Sequence, residues 1–250
     1  MNLDDGFPIR KLKDAKTRKD VAKLLGYNYR RLNYLLYKAS DHEKYKEFEI
    51  PKRSGGVRKI ESPQGGLKLL QRRLASLLQD CQEEIEREHS SKRRKTVSHG
   101  FKRRKNICTN AKRHRNRRYV FNIDLLDFFH SIHLGRVRGF FIKDKHFELE
   151  PQVATTIAQI ACFKGRLPQG SACSPVISNL IGHILDVQMI RLASRNGCVY
   201  TRYADDLTFS TNKRCFPSAI ALTEDESGHL WHPGPDLLRI LLHSGFEVNV

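Results

Sequence analysis

No Cys-x-x-Cys pair occurs in this chain: Cys81, Cys108, Cys162, Cys173, Cys198 and Cys215 fall at irregular, wide spacings. A zinc finger or dithiol redox motif is therefore not signalled, and reduced thiols in a cytoplasmic protein are the simpler reading. The 11 histidines are equally scattered. There is no apolar signal region at the N-terminus, no uncharged run long enough to span a bilayer, and no internal repeat or long low-complexity tract. The expectation is a soluble cytoplasmic protein with no membrane partner. Acid is scarce too. Over residues 92–118 there are 13 basic residues and no Asp or Glu.

What is present is basic charge and enough length for a core. The 250 residues carry 45 Lys and Arg against 27 acids, a formal net charge of +18; the 13 cations of residues 92–118 hold most of that excess, and +5 remains without them. A chain of this size folds as one large domain or two closely packed ones. Its charge favours a polyanionic partner through phosphate contacts and counterion release, with nucleic acid the first candidate.

Periodicity supplies the elements. Residues 21–37 space apolar side chains at three and four with cations between, as an amphipathic helix does. Two alternating runs within residues 46–62 flank Ser54-Gly55-Gly56 and read as a β-hairpin. Helical spacing resumes over 67–85 (Leu67, Leu70, Leu74, Leu77, Leu78, Cys81). Tyr119-Val120-Phe121-Asn122-Ile123-Asp124 is a strand ending on an acid. Residues 153–163 read as helix, 167–174 as a Pro/Gly/Ser loop, and 175–192 as a helix opened by Pro175. Two β-rich runs, 199–202 and 207–210, flank Ala204-Asp205-Asp206 and place two carboxylates at a hairpin tip. Residues 211–234 are polar and turn-rich, with the insert 223–235 read as a surface loop, and 236–243 form a last short helix.

Adjacent aspartates alone are a weak signal, because most such pairs mark solvated turns. Here an aromatic residue precedes them, β-rich arms flank them, and a second strand ends in Asp124. Three carboxylates at strand ends suit two-metal phosphoryl transfer: Mg²⁺ takes hard oxygen ligands and completes its shell with phosphate and water. Asp124, Asp205 and Asp206 are the catalytic and metal-binding candidates, with two Mg²⁺ per site and Mn²⁺ as substitute.

These motifs resemble reverse transcriptases in order and spacing over roughly residues 46–249. Phe121-Asn122-Ile123-Asp124-Leu125-Leu126-Asp127-Phe128-Phe129 is similar to the family's first catalytic motif. The resemblance implies metal binding by Asp124 and the Leu125 carbonyl, and exclusion of a ribose 2′-OH by Phe129. Leu167-Pro168-Gln169-Gly170-Ser171, with Ser174-Pro175 and Ser178-Asn179-Leu180, resembles the motif that lies against incoming nucleotide and template. Gln169 would offer an amide and Gly170 a close backbone approach. Arg58, in Gly-Gly-Val-Arg-Lys-Ile, matches the fingers residue that grips the triphosphate, so Arg58, Phe129, Gln169 and Gly170 are the expected dNTP-binding set. Gly245-Phe246-Glu247-Val248-Asn249 looks like the start of a motif that continues to a lysine.

Within the family the bacterial retron group is the nearest likeness. Asn110-Ala111-Lys112-Arg113-His114 matches its Asn-Ala-x-x-His signature, and Gly100-Phe101 with Asn106-Ile107 fits the same pattern. Asn110, Arg113, His114, Arg115, Arg117 and Arg118 are accordingly the expected RNA-binding residues. The resemblance implies an α+β right-hand polymerase fold with fingers and palm subdomains and an antiparallel palm sheet with helices; the thumb is expected to be missing or truncated, since the motif lysine and the thumb after it would lie beyond Val250. Residues 1–118 would hold N-terminal helices, fingers and the basic RNA-binding segment, and residues 119–250 the catalytic palm with the remaining fingers elements. The implied activity is RNA-directed DNA synthesis on a cognate structured non-coding RNA, primed from a 2′-OH of that RNA. The implied product is a branched RNA-DNA hybrid (msDNA), made in a bacterial cytoplasm within an anti-phage defence system. Its partners would be that RNA and its reverse-transcribed DNA, dNTPs, and a toxic effector protein. Two other readings stay open from sequence: a group II intron-like or other bacterial reverse transcriptase, and a reverse-transcriptase fold kept mainly as an RNA-binding scaffold.

Overall fold

The structure is a computed structural model that describes residues 8–52, 55–90, 96–223 and 231–249. Three expectations lie partly outside the described residues: the hairpin turn at Ser54, residues 92–95 of the basic run, and residues 224–230 of the insert. The chain divides into two compact units, one formed by residues 1–94 and 132–177 and the other by 95–131 and 178–250. Each unit therefore draws on two separate stretches of chain.

The first unit is mostly helical. It contains α1 (Pro8–Asp14), α2 (Arg18–Leu24), α3 (Tyr29–Tyr37), α4 (Asp41–Lys44), the antiparallel hairpin β1 (Tyr45–Pro51) and β2 (Val57–Pro63), and the long α5 (Gly65–Ser90). The single helix expected over residues 21–37 is two, α2 and α3. Gly26, at φ +55°, closes α2 with Tyr27 N donating to the Ala22 carbonyl, and Asn28 opens α3, its backbone extended and its side chain accepting a hydrogen bond from Arg31 N. Along α5, Leu70, Leu74 and Leu78 are fully buried at helical spacing, each contributing about 1.5–3 kcal/mol by leaving water.

The second unit opens with α6 (Ile107–Ala111), which runs into a 3₁₀ turn (Lys112–His114), and β3 (Tyr119–Leu125). In the first unit α7 (Leu134–Lys143), for which periodicity gave no expectation, packs on α8 (Pro151–Ala161). Phe140, Phe141 and Phe147 fill the space beneath, with ring centroids 5.1–5.6 Å apart. Gln71 ties this unit together from inside. It donates to Tyr45 Oη and the Ile160 carbonyl, both at 2.8 Å, and accepts from Ser171 Oγ at 2.8 Å.

α9 (Ser174–Arg195) begins in the first unit and continues into the second. Contrary to the expectation from charge spacing, its length and hydropathy suffice to cross a membrane; 67% of the qualifying window is buried inside the protein, as in a core helix. The second unit then contains β4 (Val199–Tyr203), β5 (Asp206–Thr211), β6 (Ala221–Thr223), β7 (Trp231–Pro233), α10 (Pro235–His243) and β8 (Val248–Asn249). β4, β5, β3 and β8 form one sheet in that order, with every neighbour antiparallel. The turn-rich stretch expected over 211–234 contains a short antiparallel pair, β6 with β7. The observed architecture is α+β with antiparallel sheets.

Candidate active site

Alternation along β3 decides where its acid points. Phe121, Ile123 and Leu125 are buried, so Asn122 and Asp124 fall on the opposite face. Asp124 lies directly across from Asp206, the first residue of β5. Opposed residues in an antiparallel pair hold their Cβ atoms about 4.5–5.5 Å apart, so two carboxylates meet at the sheet's end. Asp205 is in the β4–β5 turn, where its carbonyl accepts from Leu125 N at 3.2 Å. On the other side of β3, Asn249 Nδ2 donates to Asp124 Oδ2 at 3.2 Å. The structure thus brings Asp124, Leu125, Asp205 and Asp206 together within one unit.

Partial burial, and next the charge of Asp124, raise the pKa of Asp206 above the ordinary carboxylate value. The upward shift thus comes first from lost hydration and only then from the neighbouring carboxylate. Among the described residues no three His, Cys, Asp or Glu side chains are grouped closely enough to hold an ion by themselves. Mg²⁺ does not need such a cage, since it binds through one or two carboxylates plus substrate phosphates and water. The donor set fits a hard divalent cation.

The turn is braced from below. Ala204 has φ +59°, a left-handed conformation uncommon for a residue with a Cβ. A Cβ on Gly100 would stand 2.4 Å from Ala204 N, so only glycine allows the segment 97–100 to lie against the turn. That segment is held to β4 by His99 N donating to the Arg202 carbonyl (2.8 Å) and Arg202 N to the Val97 carbonyl (3.0 Å). Phe129, half-buried, has its ring 5.6 Å from that of Phe128 and 5.9 Å from that of Phe101.

The remaining dNTP-binding candidates are in the other unit, and β2 connects them. Arg58 is exposed on β2. Gln169 accepts at its carbonyl from Glu61 N of the same strand (2.8 Å). Gly170 has φ +123°, and a Cβ there would meet Ile60 Cγ2 at 2.9 Å and the Glu61 carbonyl at 3.0 Å. The close approach that requires a glycine is thus to β2.

Of the expected RNA-binding residues, Arg113, Arg115, Arg117 and Arg118 are exposed, whereas Asn110 and His114 are buried. For His114 this corrects the expectation of a surface contact. Nδ1 pairs with Ser210 Oγ and Nε2 with Thr201 Oγ1, both at 2.7 Å, so both ring nitrogens are occupied in bracing β4 and β5. Capping produces that placement. Asn106 and Thr109 form a reciprocal capping box that starts α6, and Thr109 Oγ1 meets His99 Nδ1 at 2.8 Å. The Asn-Ala-x-x-His pattern therefore docks the basic segment on the β4–β5 hairpin.

Burial, followed by the charges of Arg113 and Arg117, lowers the His114 pKa to about 4. Burial, followed by Lys105 and Arg113, does the same for His99. In the unfolded chain these imidazoles protonate near their ordinary value of about 6.5. Native stability is therefore full above pH 6.5 and falls as pH drops toward 4, because only the unfolded state takes up the protons. The expected loss is about 2 kcal/mol per histidine after screening. His114→Asn should reduce the slope of thermal midpoint against pH over this window by about half; an unaltered slope would show that His114 is not buried neutral.

Sequence reading missed Arg202, Asp186 and Asn249. Arg202 and Asp186 are 0% and 2% exposed and joined as an ion pair, and the available signal was an arginine inside the short strand β4 and an acid following the uncharged first half of α9. Asn249 was seen only as part of a motif and not as a partner of Asp124.

Residues 50–225 match the family model described as reverse transcriptase (RNA-dependent DNA polymerase). The chain is 36% identical over 215 residues to the retron Mx65 reverse transcriptase of Myxococcus xanthus, covering 78% of this chain and 47% of that protein. It is 33% identical over 221 residues to the retron Mx162 reverse transcriptase of the same organism, covering 81% and 43%. Against the retron Ec86 reverse transcriptase of Escherichia coli the identity is 40% over 97 residues, 39% of this chain and 29% of that one. The chain spans less than half the length of these relatives. The match over residues 50–225 includes Asp124, the loop holding Gln169 and the Asp205-Asp206 turn, and it places this chain in the reverse transcriptase family, with retron enzymes among its curated relatives.

Proposed function

We propose that this chain carries the polymerase centre of a retron-type RNA-directed DNA polymerase. The observation that supports this most is Asp124 standing opposite Asp206, with Asp205 in the adjoining turn. The sheet β4-β5-β3-β8 is read as the palm, and the β1–β2 hairpin as part of the fingers. In functional terms residues 1–118 supply N-terminal helices, fingers and the basic RNA-binding segment, and 119–250 the catalytic palm with the remaining fingers elements.

Reverse transcriptase domains use divalent metal ions, here taken to be two Mg²⁺ held by Asp124, Asp205, Asp206 and the Leu125 carbonyl. Bound there, they would lower the pKa of the attacking hydroxyl and neutralise charge on the departing pyrophosphate. The carboxylates position that chemistry by standing on paired strands. Arg58 binds the triphosphate, Gln169 and Gly170 shape the nucleotide's surroundings, and Phe129 denies space to a 2′-OH. A side chain forced into filled space costs about 1–3 kcal/mol, or roughly ten- to a hundredfold in rate. Phe129→Ala should lower the ratio of kcat/KM for dNTP over rNTP by about that factor, and an unchanged ratio would remove Phe129 from sugar selection.

The template is a cognate structured RNA held by Arg113, Arg115, Arg117 and Arg118. Synthesis starts from a 2′-OH of that RNA and gives a branched RNA-DNA hybrid, which with an effector protein acts in anti-phage defence in the bacterial cytoplasm. The retron relatives support this finer reading. Sequencing the nucleic acid that copurifies with the protein tests it. A DNA joined through a 2′,5′ branch to one RNA species is expected, while unbranched DNA would indicate another priming rule and cellular RNA alone a binding scaffold.

A further inference from the structure

Arg202 lies on β4, two residues before Ala204 of the turn, and is, among the described residues, the largest side chain to be fully enclosed. A cation taken out of water costs several kcal/mol unless it is paired and hydrogen-bonded. Asp186 of α9 supplies the pairing in a two-point arrangement, Nε to Oδ1 and Nη2 to Oδ2, both at 2.8 Å. The Tyr200 hydroxyl donates to the same carboxylate at 2.8 Å. Asn179, Gly182 and Asp186 recur at helical spacing on one face of α9. Gly182 makes room, since a Cβ there would lie 2.9–3.2 Å from the guanidinium atoms.

The remaining terminal nitrogen, Nη1, is not needed to neutralise the charge. It donates to Asn179 Oδ1 and to the carbonyl of Ala204, each at 3.1 Å. Asn179 is itself fixed, accepting from Ser98 Oγ (3.0 Å) and donating to the Gly100 carbonyl (2.8 Å). The Ala204 carbonyl belongs to the peptide plane that leads into Asp205. The next plane, which leaves Asp205, is held by its own carbonyl accepting from Leu125 N on the strand of Asp124. Both planes that set the Asp205 backbone are thereby pinned, one by Arg202 and one by β3.

We infer that Arg202, locked by Asp186 and Asn179, is a positioning residue that fixes the Asp205 carboxylate relative to Asp124. The inference rests on the polymerase reading of the site. Planar guanidinium geometry is essential, because one group must meet Asp186, Asn179 and the Ala204 carbonyl together; a lysine ammonium keeps the charge without that fork.

Two variants test it: Arg202→Lys, and the double Asp186→Leu with Arg202→Met. The double variant replaces the buried pair by apolar side chains, an exchange that is often neutral for stability. Each is measured for cooperative melting, for Mn²⁺ binding by electron paramagnetic resonance, and for kcat and KM of dNTP incorporation. A 1 Å misplacement costs about a hundredfold in rate, so kcat should fall by about that factor in both variants, with dNTP KM little changed and Mn²⁺ bound more weakly. A cooperatively folded variant with wild-type kcat and Mn²⁺ affinity overturns the inference. Failure of both variants to melt cooperatively also overturns it, because Arg202 would then be a folding residue. If the wild-type protein binds Mn²⁺ yet incorporates no dNTP, the polymerase reading fails and the Mn²⁺ shift alone decides the inference. If it binds no Mn²⁺, both fall.

Discussion

Replacing Asp205 and Asp206 by Asn should abolish dNTP incorporation, by at least about a thousandfold, while the protein becomes slightly more stable. The rate effect follows from the chemistry. Asn keeps the volume of Asp but removes the charge that holds a hard cation, and removal of one preorganised electrostatic group already costs about 10²–10³. The stability effect follows from the register. Partial burial first, and then the facing Asp124, raise the pKa of Asp206, so its ionised form is less favourable in the folded state than in the unfolded chain. Neutralising Asp206 relieves a cross-strand repulsion that is worth about 0.2–1 kcal/mol. Gain of stability with loss of activity is the signature of a functional carboxylate. Calorimetry and primer extension on the same preparation read both; RNA binding should persist, since the cations proposed to carry it lie in another segment. Incorporation at the wild-type rate would remove the two aspartates from the catalytic assignment.

The second large effect concerns the basic segment. Arg113, Arg115, Arg117 and Arg118 are exposed around a buried anchor, His114. Each phosphate neutralised contributes about 0.7–0.9 to the slope of log K against log salt. Changing all four arginines to Gln should therefore flatten that slope by about 3 and weaken RNA binding most at low salt. Because His114 still meets Thr201 and Ser210 in such a variant, the fold of the hairpin should survive. A slope that stays the same would make these arginines solvated surface. His114→Asn should act differently, changing acid stability more than the salt slope.

Sequence order and alternation were enough to locate the carboxylates, because each is placed by strand geometry that local pattern encodes. Asp124 ends a run whose apolar residues alternate, and Asp205 with Asp206 closes a hairpin whose two arms are β-rich. Features that depend on distant segments were less visible. Asn28 divides a helix that apolar spacing read as continuous, since a cap competes with periodicity only once its side chain reaches the Arg31 amide. The compact units draw on interleaved stretches, and chain order alone gives no sign of which stretches gather. His114 shows the sharpest limit: the Asn-Ala-x-x-His resemblance made it an RNA-binding residue, yet its two nitrogens serve Thr201 and Ser210, which are 87 and 96 residues away. Arg202 and Asp186 were hidden for the same reason. The charge of each is met only by the other, and the pair exists only when α9 lies against β4.

The most direct test of the polymerase centre is extension of a DNA primer on an RNA template by the purified protein, with dNTPs and Mg²⁺ as the only additions. Mg²⁺-dependent appearance of template-complementary DNA, absent from the Asp205→Asn, Asp206→Asn variant, is the expected result. RNA bound tightly by a folded wild-type protein that makes no DNA at any Mg²⁺ or Mn²⁺ concentration would contradict it.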